Sequence, residues 1–370
     1  MLRIAVDARP LAHPYTGIGR YTESLLRHLV RSGHQWFLYS DRVIAPRFEI
    51  DDHVQLRMGG TIPGSPFSLL YSQLVFPRWS RGDCVNIFWS PRHHLPLYLP
   101  DSVTGVVTLH DFAWKRFPHT MRPGNRLLER MLMGPSLKRA AGILAVSEFT
   151  ARELDAEYPE CSGRCVVIPG AAALPEAAGE TGIELPADPY LLFVGTPEPR
   201  KNLETLMRAY ARMAARVERR FDLMLVGAGG WGGFDPIAEI EEPGLKRRVR
   251  RLGRVSDLEL HRIYANARAL VFPSLYEGFG LPALEAMLRG VPVIASNRAA
   301  LPELVGEAGM LIDPESVSEL ADAMQSICQD DALHGELSGR ARARAERYNW
   351  KTSAELTLAA LGSIYDARRR

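Results

Sequence analysis

Residues 274–287 read Ser-Leu-Tyr-Glu-Gly-Phe-Gly-Leu-Pro-Ala-Leu-Glu-Ala-Met and follow a short apolar run, Ala269–Phe272. Gly278 and Gly280 make a loop whose backbone can approach a ligand closely. Pro282 suits the first position of a helix, so the spacing predicts a helix start at Leu281 or Pro282. The free N–H groups of such a start form an anion site suited to a diphosphate. Glu277 stands before the loop and Glu285 about one turn into the helix. One carboxylate then reaches a sugar held above the loop, and the other a ribose beyond the phosphates. Carboxylates are good acceptors for vicinal hydroxyls. A helix start that merely favours acids accounts for Glu285 alone, but poorly for the loop, the proline and both glutamates together.

Outward from this stretch, short apolar runs alternate with amphipathic ones. Strand-like runs are Leu2–Val6, Trp36–Tyr39, Val85–Trp89, Val103–Leu109, Ile143–Val146 and Val166–Ile168, then Tyr190–Val194, Leu223–Val226, Ala269–Phe272, Val291–Ala295 and Met310–Ile312. Such Val-, Ile- and Leu-rich runs predict buried parallel strands of doubly wound α/β sheets. Helical periodicity marks Tyr21–Arg31, Leu203–Arg216, Val317–Cys328 and Trp350–Arg370. Residues 170–189 lack periodicity and read as a linker. The expected domains are therefore residues 1–175, residues 186–349, and a C-terminal helix at 350–370 packing back on the first. The cleft between the two domains is the default ligand site.

Four other loops carry candidate chemistry. In Val194-Gly-Thr-Pro-Glu-Pro-Arg-Lys-Asn202, Arg200 and Lys201 put two cations at a strand-to-helix turn, where they can stabilise a departing diphosphate. A solvated surface pair is the plain alternative. His110, in Leu109-His-Asp-Phe112, sits at the carboxyl end of a strand, where open α/β sheets bind ligands. A packed or capping histidine is its plain reading. In residues 14–21, Pro-Tyr-Thr-Gly-Ile-Gly-Arg-Tyr, Gly17 and Gly19 precede a helix and suit close approach to phosphate, with Arg20 placed to meet phosphate or acceptor. A flexible turn with a snorkelling arginine accounts for the same residues equally well. Ser147 reads as the cap of a following helix. Val255, in Gly253-Arg-Val-Ser-Asp257, offers its backbone to a nucleobase.

Two glutamates separated by seven residues, Glu277 and Glu285, inside an E-G-F-G-L-P-x-L-E-A run, resemble the hallmark of glycosyltransferase family 4. The resemblance extends over nearly the full chain. It implies the GT-B fold, two Rossmann-like doubly wound α/β domains facing each other across a cleft. It also implies a nucleotide-sugar donor held mainly by the second domain, and transfer with retention. By the family pattern Glu277 contacts the donor sugar and Glu285 the ribose. Phe279, Gly280 and Leu281 present backbone N–H groups to sugar and phosphate beside Gly278, and Arg200 and Lys201 bind the diphosphate. His110 lies near the reacting sugar as a positioning group, and Ser147 matches a family segment. The Thr16–Tyr21 run resembles the mannosyl- and rhamnosyltransferases of bacterial surface polysaccharides. The expected donor is a GDP-sugar, mannose or D-rhamnose, with a UDP-sugar open. The expected acceptor is an oligosaccharide or a polyprenyl-linked chain.

Other classes are excluded or set aside. A net charge of +2 argues against a dedicated nucleic-acid binder. Gly227-Ala-Gly229-Gly-Trp-Gly232 fits a dinucleotide fingerprint literally, but Gly233-Phe-Asp-Pro236 breaks the helix it needs, and the acids at 239–242 read as helical. No Asp-x-Asp occurs, so no metal is expected. Cys161 and Cys165 lack the further pair a zinc site wants; with Cys84 and Cys328 they read as reduced thiols. No apolar run approaches the ~20 residues that span a bilayer, and residues 1–7 read as a strand rather than a leader, so a cytoplasmic protein is expected. Met121–Ala141, with Arg122, Arg126, Arg130, Lys138 and Arg139 among Leu127, Leu128, Met131, Leu132 and Met133, suits peripheral contact with an anionic membrane, or a solvated basic face on a packed helix. Arg368, Arg369 and Arg370 read as a solvated end. A nucleotide-sugar epimerase or hydrolase, or a non-catalytic scaffold, are the rival classes.

Overall fold

The computed structural model describes residues 1–13, 16–60, 67–121, 123–173, 182–227, 229 and 235–370. The described residues form two compact units, Met1–Ala171 with Asn349–Arg370, and Ala172–Tyr348.

In the first unit β1 (Arg3–Asp7), β2 (Gln35–Ser40), β3 (Val54–Met58), β4 (Ile87–Ser90), β5 (Thr104–Leu109), β6 (Gly142–Ala145) and β7 (Cys165–Val167) form one sheet, ordered β3-β2-β1-β4-β5-β6-β7. Every pairing is parallel. Its helices are α1 (Gly17–Leu29), α2 (Phe67–Gly82), α3 (Ala113–Arg116), α4 (Pro123–Arg139) and α5 (Glu148–Glu157). Strands β4, β5 and β6 are buried at every position, as strands covered on both faces must be. Phe76, Phe88, Phe112 and Leu137 belong to the core beside them.

In the second unit β8 (Tyr190–Val194), β9 (Asp222–Val226), β10 (Val249–Gly253), β11 (Ala269–Phe272), β12 (Val293–Ser296) and β13 (Met310–Ile312) repeat the plan in the order β10-β9-β8-β11-β12-β13, again all parallel. Its helices are α6 (Leu203–Ala214), α7 (Pro243–Lys246), α8 (Asp257–Asn266), α9 (Leu281–Leu288), α10 (Leu301–Val305), α11 (Val317–Gln329) and α12 (Asp331–Ala345). Phe193, Tyr210, Met224, Phe272 and Met287 anchor this core. The strand order reverses between β1 and β4 in one unit and between β8 and β11 in the other. Ligands of open α/β sheets bind outside the carboxyl ends of strands at such a point.

The last helix, α13 (Trp350–Arg369), belongs to the first unit. The Trp350 ring meets Tyr21 at 5.8 Å, and Ser353 Oγ donates to the Pro169 carbonyl at 2.8 Å. Arg368 corrects the reading of a solvated basic end: its guanidinium donates to the carbonyls of Val103 and Asp101 at 2.9 and 2.7 Å.

Three further expectations change. Strands β3 and β10 were not legible as apolar runs. Both are edge strands, and polar Gln55, Arg57 and Arg251 stand at exposed positions in them, beside the exposed Met58. Gly17 and Gly19 do not precede α1 but lie in its first turn, because Thr16 caps the helix from the Gly19 N–H at 3.1 Å. The acids at 239–242 do not share a helix: Pro236–Glu239 is a 3-10 turn that ends before α7. Residues 228 and 230–234 of the glycine-rich stretch, Pro14, Tyr15, Arg122 and residues 174–181 of the linker lie outside the described residues.

Candidate active site

In the second unit the loops after β8 and β11 leave adjacent strands at the reversal point. Arg200 and Lys201 end a 3-10 turn, Pro199–Lys201. Asn202 stops it in a left-handed conformation, φ 58°, which asparagine tolerates better than most residues. The Asn202 side-chain amide donates to the carbonyls of Pro273 and Pro314, at 3.2 and 2.6 Å. The Leu275 N–H donates to the Arg200 carbonyl at 2.8 Å. One backbone hydrogen bond and the Asn202 side-chain amide thus tie the two loops together before any charge is counted.

The charged groups then converge. Lys201 Nζ donates to Glu277 Oε1 at 2.5 Å, and Arg200 Nη1 lies 3.1 Å from Glu277 Oε2. Arg200 also donates to the Tyr276 carbonyl and to Glu198 Oε1, each at 2.5 Å. The Lys201 ammonium stands 5.0 Å from the centre of the Phe272 ring. Burial alone would raise the Glu277 carboxyl's pKa, but Arg200 and Lys201 pull it down to about 2. Burial lowers the pKa of Lys201, opposed by Glu277 and reinforced by Arg200.

Beside this cluster Gly280 turns the chain at φ +103° into α9, with Pro282 in the first turn. The positive φ favours glycine, and a Cβ on Gly280 would also crowd the Leu301 Cδ2 methyl at 2.7 Å. The helix start supplies backbone donors next to the loop 278–281. Phe279 packs its ring edge-on against Tyr348 at 5.8 Å. Glu285 is buried within α9, and Tyr264 Oη donates to its Oε2 at 3.0 Å. Val255 follows edge strand β10 and packs partly buried on the core.

In the first unit His110 follows β5 and is held from several sides. Its N–H donates to His93 Nε2 at 3.2 Å, and its carbonyl accepts from Thr150 Oγ1 at 3.3 Å. Its ring Nε2 lies 2.9 Å from the Pro91 carbonyl, so Nε2 carries the proton and Nδ1 is the acceptor. Burial lowers its pKa to about 4, so the ring is neutral at pH 7. Tyr21 packs edge-on against it at 5.0 Å. Ser147 caps α5, accepting from the Thr150 N–H at 3.0 Å. Gly19 is committed to its own chain: a Cβ there would lie 2.2 Å from the His13 carbonyl oxygen. Arg20 lies in the first turn of α1, half-buried.

The structure therefore brings Arg200, Lys201 and Glu277 together beside Gly278–Leu281, with Glu285 inside the adjoining helix. Sequence reading missed Glu198, Asn202 and Tyr264, which support these residues, and His93, which supports His110. Asn202 alone carried a local signal, as a residue that tolerates a left-handed turn before a helix. The four cysteines are free, and among the described residues no group of three His, Cys, Asp or Glu side chains is placed to hold a metal ion.

A family model described as Glycosyltransferase Family 4 matches residues 15–176, and one described as Glycosyl transferases group 1 matches residues 188–330. The O-antigen chain mannosyltransferase B of Escherichia coli is 32% identical over 381 residues, covering 96% of this chain and 98% of that one. Sucrose-phosphate synthase from Thermosynechococcus elongatus superposes with a TM-score of 0.79 at 22% identity, over 99% of this chain and 100% of that one. WaaG, a glycosyltransferase involved in lipopolysaccharide biosynthesis, superposes with a TM-score of 0.73 at 16% identity, over 96% and 98% of the two chains. The structural likenesses show the GT-B fold; the sequence relative and the family models show more. The chain is a glycosyltransferase and belongs to glycosyltransferase family 4.

Proposed function

We propose that this enzyme moves a hexose, mannose or D-rhamnose, from a GDP-sugar to a growing oligosaccharide or polyprenyl-linked acceptor of a bacterial surface polysaccharide, with retention and without a metal ion. The observation that carries the proposal is the convergence of Arg200, Lys201 and Glu277 beside the start of α9. The likeness to an E. coli O-antigen chain mannosyltransferase supports mannose and O-antigen as donor sugar and product class.

In this reading Glu277 exchanges partners. Without donor it pairs with both Arg200 and Lys201. With donor its oxygens accept from sugar hydroxyls, and the two cations turn to the diphosphate. As the glycosidic bond breaks, negative charge grows on the leaving phosphate, and fixed cations and helix-start amides stabilise it most in the transition state. The amides of Phe279, Gly280 and Leu281 complete that cradle. Glu285, aligned by Tyr264, accepts from the ribose, and the Val255 backbone meets the base. The leaving phosphate takes the proton from the acceptor hydroxyl on the face it departs from. Neutral His110 offers Nδ1 as acceptor to a sugar hydroxyl.

The test is transfer from GDP-mannose in the presence of EDTA, with the anomeric configuration of the product read by NMR. An α-linked product from the α-linked donor is expected. A β-linked product contradicts retention, dependence on added metal contradicts the cation assignment, and turnover only with a UDP-sugar contradicts the choice of base.

Among the described residues no helix is long and apolar enough to cross a membrane. We place any membrane contact on α4, where Arg126, Leu127, Arg130 and Met131 are exposed together. Apolar and basic side chains on one face suit an anionic surface. Flotation with anionic vesicles at low salt checks this; absence of binding removes it.

A further inference from the structure

Outside the donor site, one buried polar cluster stands next to His110. Glu129, on α4, holds two consecutive histidines of the loop after β4 with a single oxygen: Oε2 lies 3.3 Å from His93 Nδ1 and 3.0 Å from His94 Nε2. Both rings are buried. A carboxylate only accepts, so the ring nitrogens facing it carry the protons. The opposite nitrogen of His93, Nε2, is then left to accept from the His110 N–H at 3.2 Å. The same loop supplies the Pro91 carbonyl that receives the His110 ring proton. One short segment therefore holds His110 by its backbone and by its ring.

We infer that Glu129 is a positioning residue for the transfer reaction: by fixing His93 and His94 in one tautomer each, it sets the loop that orients the His110 ring. This rests on the reading of His110 as a group that meets a sugar hydroxyl. A proton on His93 Nε2 would remove the acceptor of the His110 N–H. A displaced Pro91 carbonyl would let the His110 ring exchange tautomers, so that Nδ1 no longer offers a constant lone pair. The loop has other ties to the fold. The Leu95 N–H donates to Ser136 Oγ on α4 at 3.0 Å, and Gln73 on α2 bonds both Leu95 and Leu97. Loss of Glu129 therefore disturbs the histidines while the loop stays docked.

The experiment uses the full chain labelled with 15N-histidine at about pH 9, because His93, despite burial, is held by Glu129 above the pKa of an ordinary histidine. The ring nitrogen shifts of the unmodified protein should show the proton on Nδ1 of His93 and on Nε2 of His94 and His110. A cationic His93, or the opposite tautomer, overturns the proposal without any variant. In Glu129→Leu the His110 signals should move to a mixture of tautomers and kcat should fall about tenfold or more, with GDP affinity unchanged. Glu129→Gln keeps an oxygen that accepts from both rings, and should restore the signals and bring kcat within about threefold of the starting enzyme. Unchanged His110 signals in folded Glu129→Leu overturn the proposal, as does a Glu129→Gln variant as impaired as the leucine. If Glu129→Leu does not fold, the unmodified tautomers and the glutamine variant still decide. Altered His110 signals with unaltered kcat would uphold the link and overturn the reading of His110 on which it rests.

Discussion

The Glu277 carboxylate and the Lys201 ammonium meet at 2.5 Å across 76 residues of chain, in the buried space where β8 and β11 end. Neither charge is solvated enough to stand alone there, since an isolated buried ion is expensive. Arg200 and Lys201 keep Glu277 charged, and Glu277 holds the Lys201 proton against burial and the neighbouring Arg200. A donor that engages both must replace what they now give each other, which makes this pair the most informative place to perturb.

Glu277→Gln should change the pH dependence in a defined direction. Burial already lowers the pKa of Lys201, and Glu277 opposes that shift. With a neutral amide at 277, burial and Arg200 act on Lys201 without their main counterweight, Glu198 alone remaining to oppose them. Lysine loses its proton as pH rises, so the basic limb of nucleotide binding should move to lower pH. Titrating GDP affinity against pH for both proteins checks this; coincident basic limbs contradict it.

Acid stability of the unmodified protein follows from the same carboxylate. Its pKa is about 2 in the folded chain against 4.5 for an ordinary glutamate. A depressed carboxylate stabilises the fold above its unfolded value, and that contribution is lost as pH falls from about 4.5 to about 2. Urea unfolding of the unmodified protein and Glu277→Gln should converge across that window. A gap that stays constant there contradicts the assignment.

Gly280→Ala should weaken both fold and donor site. The residue needs φ +103°, and its new methyl would press on Leu301 at 2.7 Å. Strain and overpacking together should cost about 2 kcal/mol, read as a lower urea midpoint. Because the same turn aims the amides before α9, GDP affinity should fall as well. Unchanged affinity would separate the glycine from the diphosphate cradle.

Tyr264→Phe tests Glu285. It removes the hydroxyl that donates to Glu285 Oε2 and leaves a buried carboxylate short of a donor. GDP affinity should fall about tenfold, the scale of one neutral donor lost to a charged acceptor. A loss seen equally with free pyrophosphate would contradict a ribose role for Glu285.

Legibility in the sequence followed burial. Strands covered on both faces, such as Tyr190–Val194 and Ala269–Phe272, announce themselves as unbroken apolar runs. The edge strands Val54–Met58 and Val249–Gly253 face solvent and carry polar residues, so they look like loops. Arg200, Lys201, Glu277 and Glu285 were legible because each sits in a local motif beside a strand end. Glu198 pairs with Arg200 two residues away, yet nothing in the spacing separates it from a solvated acid. Tyr264 lies 21 residues before Glu285, and His93 lies 17 before His110. Those partnerships exist only after the sheets have closed and brought neighbouring strand ends together.

The most direct test is a thermal-shift screen of the unmodified protein and Lys201→Ala against GDP, UDP, ADP and dTDP with EDTA present. A rise with GDP alone is expected, lost or strongly reduced in Lys201→Ala, while the melting temperature of the unliganded variant stays close because Arg200 still pairs with Glu277. The variant's turnover should fall about 10²- to 10³-fold, the scale of one lost transition-state contact. No rise with any nucleotide, or a GDP shift that survives in Lys201→Ala, would contradict the claim that this cluster binds the donor diphosphate.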